Sequence, residues 1–563
     1  MIRSMLEQTK VSNTPLQKAT AEAAQPIAAW HKLKTLQSAV PFSECLLWKL
    51  QRRFYESQGK AAWANGLLPY QITSNPFIAE VYARLIESFL DDCRRSSGQQ
   101  APRVRIVELG AGHGVFSCAL LRELECDGLL PEVDYLMTDA SATNVNQWAA
   151  DPRLQSFAEQ GVLSYAQWVI GDSGIDALQR ADPGHTGPLV VIANYVFDSI
   201  AQDIFVVERG ELHEMLVTVT APSHLNVDPD APPDDLFPSL DLQYSRAPVA
   251  PGRYVNPLLN EILAEYGDTL PAATVLFPAK ALQAIADLRT LGGGDLLLLS
   301  ADKGYIDDWD LAHAPGPPAI EHHAGNAFSL MVNYDAIAKF CRRTGGESFL
   351  PTIRPHALAV GAFAWKADKS VAGLRRAFRT SVGTFGPDEL YIALEALSRA
   401  DRLSLAQIVA VIRLSRYSAS LLLRLADTLL PLLDGLSDIA RDELRLVILE
   451  TWNRTLPLGP PEEDLAFRCG TLLLNLRFYP DAIALLEAST RQYGTAPATA
   501  YNLGLCHAAT DRDELALAAF REACELDPAF EESRSQIVAL TSRKQFRTSL
   551  PQSSCSWPAR HPG

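Results

Sequence analysis

Three glycines alternate along a short stretch where an apolar strand pattern gives way to a helical one. Residues 105–124 read RIVELGAGHGVFSCALLREL, with the glycines at Gly110, Gly112 and Gly114. Glycine lets the backbone pass close to a ligand, and the N-terminus of the following helix offers unpaired N–H groups. The pattern predicts a ligand-binding turn, although taken alone it also suits a dinucleotide or a plain tight turn.

Acidic residues stand at the ends of the predicted strands around this turn. Glu108 precedes the glycines, Asp139 ends the next strand, and Asp172 ends the one after. In a doubly wound sheet, successive strand ends line one crevice, so these carboxylates converge on one ligand. Carboxylates accept hydrogen bonds from hydroxyls and amines but repel a pyrophosphate. The arrangement favours S-adenosylmethionine over a dinucleotide or an empty crevice.

Each part of this predicted donor site has an expected role. Asp139, with Ala140 beside it, is expected to bind the ribose hydroxyls, and Asp172 the adenine amine. Glu108 and the glycines are expected near the methionine end. A dinucleotide site would place its third glycine one position later, at Val115. The acid, apolar residue and alternating glycines resemble the first motif of class I methyltransferases.

Alternating strand and helix patterns between residues 103 and about 363 must position this site. They predict an α/β fold with a doubly wound, Rossmann-like class I methyltransferase sheet, including a hairpin that turns at Arg209 and Gly210. We predict a polar, helix-prone segment over 1–45 and a methyltransferase domain over 46–366, with a proline- and aspartate-rich insertion over about 220–256. An all-α helical domain over 367–457, repeats over 458–545 and a disordered tail over 546–563 are predicted to follow.

The predicted repeats show a period of 34 residues. Aligned pairs are Gly470 with Gly504, Ala482 with Ala516, and Leu486 with Phe520. The period, with small residues where two helices would cross closely, resembles the tetratricopeptide repeat. Such a region could recruit a protein or peptide partner in a groove. The alternative is a helical cap that only stabilises the fold or a homodimer.

Composition narrows the classes of partner. Formal net charge is −16, which argues against general nucleic-acid binding and permits a basic partner. No apolar run approaches the roughly 20 residues of a membrane span, and the N-terminus lacks the apolar core of a secretory signal. The nine cysteines form no Cys-x-x-Cys pair and are expected to be reduced thiols. We therefore expect a soluble, cytoplasmic protein with no membrane partner.

A wider resemblance covers about residues 50–365. In order, VELGAGHGVFS, LMTDASATNVNQW, VIANYVFDSIAQDIFVVERGELHE and LLLLSADKGY resemble the landmarks of the MidA-like methyltransferase family. That family includes the mitochondrial complex I assembly methyltransferase, which acts on a protein arginine. The resemblance implies an N-methyltransferase for arginine side chains of a protein or peptide. Tyr195 stands where the family has Glu, and Ala327 and Met331 stand where it usually has Asp and His.

Methyl transfer requires donor and nucleophile to be held in line, and carboxylates would orient an arginine guanidinium. Asp198, just past a strand end, is our first candidate for this role, although it could instead cap a helix. Asn194 is expected to contact donor or substrate, and Asp302 is a candidate second acid. The candidate proton acceptors or orienting groups are Glu321, His322 and His323. Adjacent histidines make a poor metal site, so no metal site is predicted.

Two alternatives remain open. One is a methyltransferase for a small molecule or another side chain. The other is a non-catalytic assembly or scaffold protein that keeps a relic donor pocket and works through its repeats. The acidic insertion, with Asp228, Asp230, Asp234, Asp235 and Asp241, could steer a basic peptide or be a solvated loop.

Overall fold

The computed structural model describes residues 33–549, with gaps at 60, 65–70, 98–102, 172–174, 176–177, 180–184, 186, 226, 229–234, 292–293, 315, 369, 399–402 and 458–462. Within this range no helix is both long and apolar enough to cross a membrane. The predicted disordered tail over 546–563 is wrong for residues 546–549, which belong to the last helix, and lies outside the described residues from position 550 onward.

A seven-stranded sheet lies at the centre of the methyltransferase region, in the order β15-β16-β10-β5-β2-β3-β4. Five neighbouring strands run parallel, and β16 and β15 add an antiparallel edge. The central strands are buried on both faces, as expected of continuous apolar runs in a parallel sheet. The strands are β2 (Val104–Glu108), β3 (Val133–Asp139), β4 (Leu163–Gln167), β5 (Leu189–Asn194), β10 (Leu296–Asp302), β15 (Glu347–Phe349) and β16 (Ala359–Trp365). The predicted α/β doubly wound fold is confirmed.

Helices cover both faces of this sheet. One face packs against α3 and α4, and the other against α7, α8 and α10. Side-chain caps begin several of them, with Ser141 before α5, Asp151 before α6 and Asn333 before α10. The helices of this region are α1 (Leu46–Gln58), α2 (Ala61–Ala64), α3 (Pro76–Ser97), α4 (Val115–Cys126), α5 (Ala142–Ala149), α6 (Pro152–Glu159), α7 (Pro257–Thr269), α8 (Ala279–Leu288), α9 (Asp308–Ala312) and α10 (Tyr334–Arg343).

A second, antiparallel sheet has the order β1-β7-β6-β9, with β8 also paired to β7. Its strands are β1 (Leu33–Pro41), β6 (Asp203–Glu208), β7 (Glu211–Pro222), β8 (Asp241–Pro248) and β9 (Ala272–Phe277). The predicted hairpin is present as β6 and β7, and Arg209 and Gly210 both have positive φ, as a tight turn requires.

This sheet corrects two expectations. The helix-prone character assigned to residues 1–45 is wrong for β1, whose residues pair with β7 from Leu33 to Pro41. The insertion over about 220–256 is not a plain loop, because β8 pairs with His213–Thr220 of β7. In both cases cross-strand pairing to a distant part of the chain overrides local propensity.

Short strand pairs complete the region beside β10. They are β11 (Gly304–Tyr305) with β14 (Val332–Asn333), and β12 (Glu321–His322) with β13 (Phe328–Ser329).

The described C-terminal part is helical. Gly470 of α16 packs against Leu486 of α17, and Gly504 of α18 packs so closely against α19 that an added Cβ would lie 2.5 Å from the Phe520 ring. The alignment therefore located two close helix crossings, while membership of the tetratricopeptide class stays a prediction. The helices are α11 (Ala372–Phe378), α12 (Pro387–Ser398), α13 (Leu405–Leu414), α14 (Ala419–Leu429), α15 (Asp438–Asn453), α16 (Leu465–Asn475), α17 (Tyr479–Tyr493), α18 (Pro497–Ala509), α19 (Asp513–Leu526) and α20 (Glu531–Ser549).

Candidate active site

The glycine turn joins β2 to α4 in a backbone conformation that favours glycine. Gly110, Gly112 and Gly114 have φ values of +59°, +55° and +80°. The Gly112 N–H donates to Asp139 Oδ2 over 2.9 Å, and the Trp148 indole donates to the Gly112 carbonyl over 2.9 Å. The turn is thus fixed from both sides before any ligand binds.

Asp139 ends β3 directly beside this turn. Its second oxygen accepts the Ser141 N–H over 2.8 Å. Burial raises the pKa of the Asp139 carboxyl, and the hydrogen bonds from Ser141 and Gly112 oppose that rise. Each carboxylate oxygen can accept more than one hydrogen bond, so Asp139 retains capacity for the ribose hydroxyls. Ala140 follows on the same edge, and its carbonyl accepts from Gln167 over 2.9 Å.

Glu108 lies beneath the turn. Its carboxylate accepts hydrogen bonds from the Ser117 hydroxyl of α4 and the Tyr135 hydroxyl of β3. Burial raises its pKa to about 7, and these two hydroxyls oppose that rise. The contacts show how Glu108 joins two strands and a helix, while its predicted contact with the donor stays a prediction. Asp172, the predicted adenine partner, lies outside the described residues.

Two carboxylates meet where β5 and β10 end. The Asp198 N–H donates to Asp302 Oδ2 over 3.3 Å, and the side chains of both residues are buried. Asp198 Oδ1 has no hydrogen-bond partner among the described residues. The residues after Asp198 form a turn that leads into β6, so the alternative of a helix cap is wrong.

The environment of this acid pair disfavours two negative charges. Burial raises the pKa of Asp198 to about 7, against hydrogen bonding from Ser199. Burial and the Asp198 charge together raise the pKa of Asp302 well above its usual range. Burial and the Asp302 charge also raise the pKa values of three phenols, those of Tyr82, Tyr195 and Tyr334. A positively charged ligand would be favoured beside a carboxyl oxygen that is buried among other acidic groups and has no hydrogen-bond partner among the described residues.

Asn194 lies on the same strand end as the acid pair. Its Oδ1 accepts the Tyr82 hydroxyl over 2.7 Å, while its Nδ2 has no partner among the described residues. Next to it, Tyr195 has a φ of 51°. Left-handed backbone at a bulky residue is strained and is concentrated at functional sites. The structure therefore brings Asn194, Asp198 and Asp302 together.

The two histidines make their described contacts within the insertion and their own hairpin. His322 Nε2 lies 2.8 Å from the Gly325 carbonyl, and its ring stacks on Phe237 with centroids 4.8 Å apart. His323 Nε2 lies 2.9 Å from Ser329 Oγ, and burial lowers its pKa. Glu321 accepts from Lys303 Nζ over 2.8 Å. A catalytic role for these three residues stays a prediction.

Two aromatic side chains that lie over the site were not predicted from the sequence. Trp63 of α2 lies against the glycine turn, since an added Cβ on Gly112 would meet its ring at 3.2 Å. Tyr55 of α1 stacks on Trp63, with ring centroids 6.0 Å apart. No sequence motif marked them, because they precede the first strand of the sheet and reach the crevice only through the fold.

The donor residues fit S-adenosylmethionine. The bare backbone at Gly112, held beside the Asp139 carboxylate, combines close ligand approach with acceptors for hydroxyl groups. Such an edge of an α/β sheet is where ligands of this fold class bind.

Comparison with known proteins agrees with this geometry. Residues 87–279 match a family model described as "Putative S-adenosyl-L-methionine-dependent methyltransferase". The fold and site thus define a methyltransferase, and the chain carries an S-adenosylmethionine-dependent methyltransferase domain with that donor as its cofactor. A search of curated proteins found no match.

Solved structures with similar folds include two of one superfamily from Burkholderia thailandensis. One, uncharacterised, is 14% identical, with a TM-score of 0.39 over 60% of this chain and 90% of its own. The other was solved with bound S-adenosylhomocysteine and is 15% identical, with a TM-score of 0.40 over the same shares. Magnesium protoporphyrin IX methyltransferase from Synechocystis is 10% identical, with a TM-score of 0.25 over 57% of this chain and 97% of its own. The choice of acceptor must therefore be argued from this chain's own residues.

Proposed function

We propose that the protein transfers a methyl group from S-adenosylmethionine to an arginine side-chain nitrogen of a protein or peptide. The observation that carries this proposal is the buried Asp198 and Asp302 pair, with one Asp198 oxygen unpartnered among the described residues. A guanidinium matches a carboxylate with charge-assisted hydrogen bonds and would supply the positive charge that this pair lacks.

Three residues near the crevice have separate proposed roles in the reaction. When bound, S-adenosylmethionine would supply the activated methyl carbon, with its S–CH₃ bond breaking and S-adenosylhomocysteine leaving as the neutral thioether. Asp198 Oδ1 accepts an N–H of the guanidinium and orients the nitrogen, whose proton passes to this carboxylate as the new C–N bond forms. Asp302 accepts the Asp198 N–H and so holds the turn that carries Asp198. The Asn194 amide nitrogen has no partner among the described residues and can donate to the donor or the acceptor.

The C-terminal helices are proposed to recruit the substrate. This proposal is supported by contacts that join the C-terminal helices to the methyltransferase region. Arg454 pairs with Glu123 of α4 over 2.5 Å, and the Arg153 guanidinium of α6 lies over the Trp452 ring at 4.4 Å. A partner held by α16–α20 would therefore stay near the crevice. A basic partner fits the acidic insertion, where Asp235 is well exposed. Self-association through these helices is the alternative use of the same surface.

The test combines mass spectrometry with a deletion. The purified protein, given S-adenosylmethionine and a proteome extract, is expected to produce methylarginine on few proteins. Removing residues 456–545 should abolish methylation of the intact partner while a short peptide from it is still methylated. Unchanged donor affinity in the shortened chain is the control for folding. Methylation of the intact partner by the shortened chain would contradict recruitment by the helices, and absence of methylarginine would contradict the substrate class.

A small-molecule acceptor is the second candidate. It is favoured by the apolar lining near the crevice, where Ala327 packs with Phe54 and Ala62, and by the aromatic cover of Trp63. Methylated metabolite without methylated protein in the same experiment would support it. Failure to bind the donor at millimolar concentration would instead support a non-catalytic scaffold.

A further inference from the structure

Helices α1 and α2 build an aromatic wall across the crevice, formed by Tyr55 and Trp63. Their rings stack with an interplanar angle of 26°. At one end of the wall, Trp63 contacts the donor turn at Gly112 and meets the His113 ring edge-on with centroids 5.5 Å apart. The wall therefore begins at the site of the methyl donor.

The other end of the wall reaches the acid pair. Burial and the Asp198 charge hold the pKa of the Tyr55 hydroxyl above its ordinary range, against hydrogen bonding from Ser199 and Gln51, and Asp139 adds a smaller effect in the same direction as Asp198. Tyr55 thus lies within the electrostatic influence of both the donor acid and the acceptor acid. Because methyl transfer must occur between those two sites, Tyr55 borders the space where the reacting nitrogen has to lie.

The wall is held from behind by apolar packing. Tyr55 and Trp63 pack on a small cluster of Phe54, Ala62 and Ala327, and Phe54 meets Tyr55 edge-on with centroids 5.8 Å apart. Gln51, one turn before Tyr55 on α1, donates to the Phe328 carbonyl over 2.6 Å. This links α1 to the segment after His323, and the Leu330 N–H of that segment donates to the Asp198 carbonyl over 3.3 Å. The rings are therefore joined to Asp198 through residues 328–330.

We infer that Tyr55 is a specificity-determining residue which, with Trp63, selects a flat guanidinium over a tetrahedral ammonium. This inference rests on the proposed arginine methylation and deepens it. A guanidinium is planar, weakly hydrated and able to stack on an aromatic ring while donating to a carboxylate. An ammonium is compact and strongly hydrated, and it gains less from the flat ring.

The test measures binding of two matched probes to the full-length protein saturated with S-adenosylhomocysteine. The probes are the acetylated tripeptide amides Gly-Arg-Gly and Gly-Lys-Gly. Wild-type protein is expected to prefer the arginine probe by about tenfold or more. Tyr55→Met and Tyr55→Leu should bring the two affinities within about twofold, while Tyr55→Phe keeps most of the preference because it keeps the ring. Phe385→Leu, which removes a partly exposed ring that packs on Phe77 of α3, is the control and should leave both affinities unchanged.

Affinity for S-adenosylhomocysteine reports whether each variant retains a folded crevice, and two variants without the ring are made so that one remains informative. An unchanged preference in a folded Tyr55→Met or Tyr55→Leu protein would overturn the inference and leave arginine methylation standing. Wild-type protein that binds neither probe, or prefers lysine, would overturn the proposed arginine substrate and this inference with it.

Discussion

The two halves of the crevice differ in how far their polar groups are already bonded. On the donor side, Asp139 binds backbone N–H groups of Gly112 and Ser141, and Glu108 binds two buried hydroxyls. On the acceptor side, Asp198 Oδ1 and Asn194 Nδ2 have no partners among the described residues. The donor side is organised by its own hydrogen bonds, whereas the proposed acceptor side leaves two buried polar atoms without partners among the described residues.

This difference has an energetic consequence. A buried polar atom without a partner costs about 1–3 kcal/mol, and a bound ligand that satisfies it recovers much of that free energy. Binding of an acceptor therefore gains most at Asp198. The donor side, by contrast, loses both ligand contacts and internal structure when one of its residues is changed.

The largest effect is expected from a change on the acceptor side alone. Asp198→Asn should lower kcat for methyl transfer by about 10²–10⁴-fold, because proton acceptance and orientation of the acceptor are lost. Affinity for S-adenosylmethionine should stay within about twofold, since no donor-side hydrogen bond changes. Radiolabelled methyl transfer and calorimetry measure the two quantities. Asp427→Asn, at an exposed acid of α14, is the control, and equal loss in both variants would remove the special role of Asp198.

The pH dependence should also distinguish the two sides. Since only the ionised carboxylate accepts a proton, kcat/KM should rise with pH up to about 7, the raised pKa of Asp198, and then level off. Below that pH the expected slope is about tenfold per unit. Donor affinity should not follow this curve. A flat rate profile between about pH 5 and about pH 8 would contradict Asp198 as proton acceptor.

The raised pKa of Asp198 also predicts how the free energy of unfolding depends on pH. In the unfolded state Asp198 loses its proton near its ordinary pKa of about 4, whereas in the folded state it keeps the proton up to about pH 7. Between these values the unfolded state binds fewer protons than the folded state. The free energy of unfolding should therefore fall through that window and stay constant above it. Asp198→Asn, which carries no charge, should lose less stability than wild-type protein in thermal melts across the window.

A change in the glycine turn should break the donor side. Gly112 has a left-handed φ, and an added Cβ would meet the Trp63 ring at 3.2 Å. We expect Gly112→Ala to weaken S-adenosylmethionine binding by about tenfold, in keeping with a backbone penalty of about 1–2 kcal/mol. Gly252→Ala is the matched control, because its φ is +64° with no atom within 4 Å of the added Cβ. Similar loss of donor binding in both would show that the turn is not part of the donor site.

The smallest effect on catalysis is expected from a change in the C-terminal helices, away from both sides of the crevice. Gly504→Ala places a Cβ 2.5 Å from the Phe520 ring and should destabilise the C-terminal helices by about 1–3 kcal/mol. Methylation of a short peptide should not change, since the crevice is untouched. Gly383→Ala, where the nearest atom is the Phe378 carbonyl at 4.0 Å, is the control for stability. Unaltered melting of Gly504→Ala would contradict the close crossing of α18 and α19.

The glycine turn was easier to predict from the sequence than the contact between Asp198 and Asp302, for a physical reason. Gly110, Gly112 and Gly114 follow one strand directly, so a local pattern identifies them. Asp198 and Asp302 lie more than a hundred residues apart in the sequence. They are brought together only by the pairing of β5 with β10. Their contact could be expected from strand order but not read from spacing.

Elements without a motif were harder still. Tyr55 and Trp63 belong to helices before the sheet, and their contact with the crevice depends on tertiary packing. The strands β1 and β8 carry weak local signals and form because β7 offers both of its edges for pairing. By contrast, the buried strands of the central sheet were predictable, because long apolar runs admit few alternatives.

Isothermal titration with S-adenosylmethionine, run on wild-type protein and on Asp139→Ala, tests whether this crevice binds the methyl donor. Asp139 holds the glycine turn and offers acceptors to the donor, so its loss should weaken binding by at least about tenfold. The account predicts micromolar binding by the wild-type protein that is largely lost in the variant. Equal binding by both proteins, or no binding by either, would contradict the assignment of this crevice to the methyl donor.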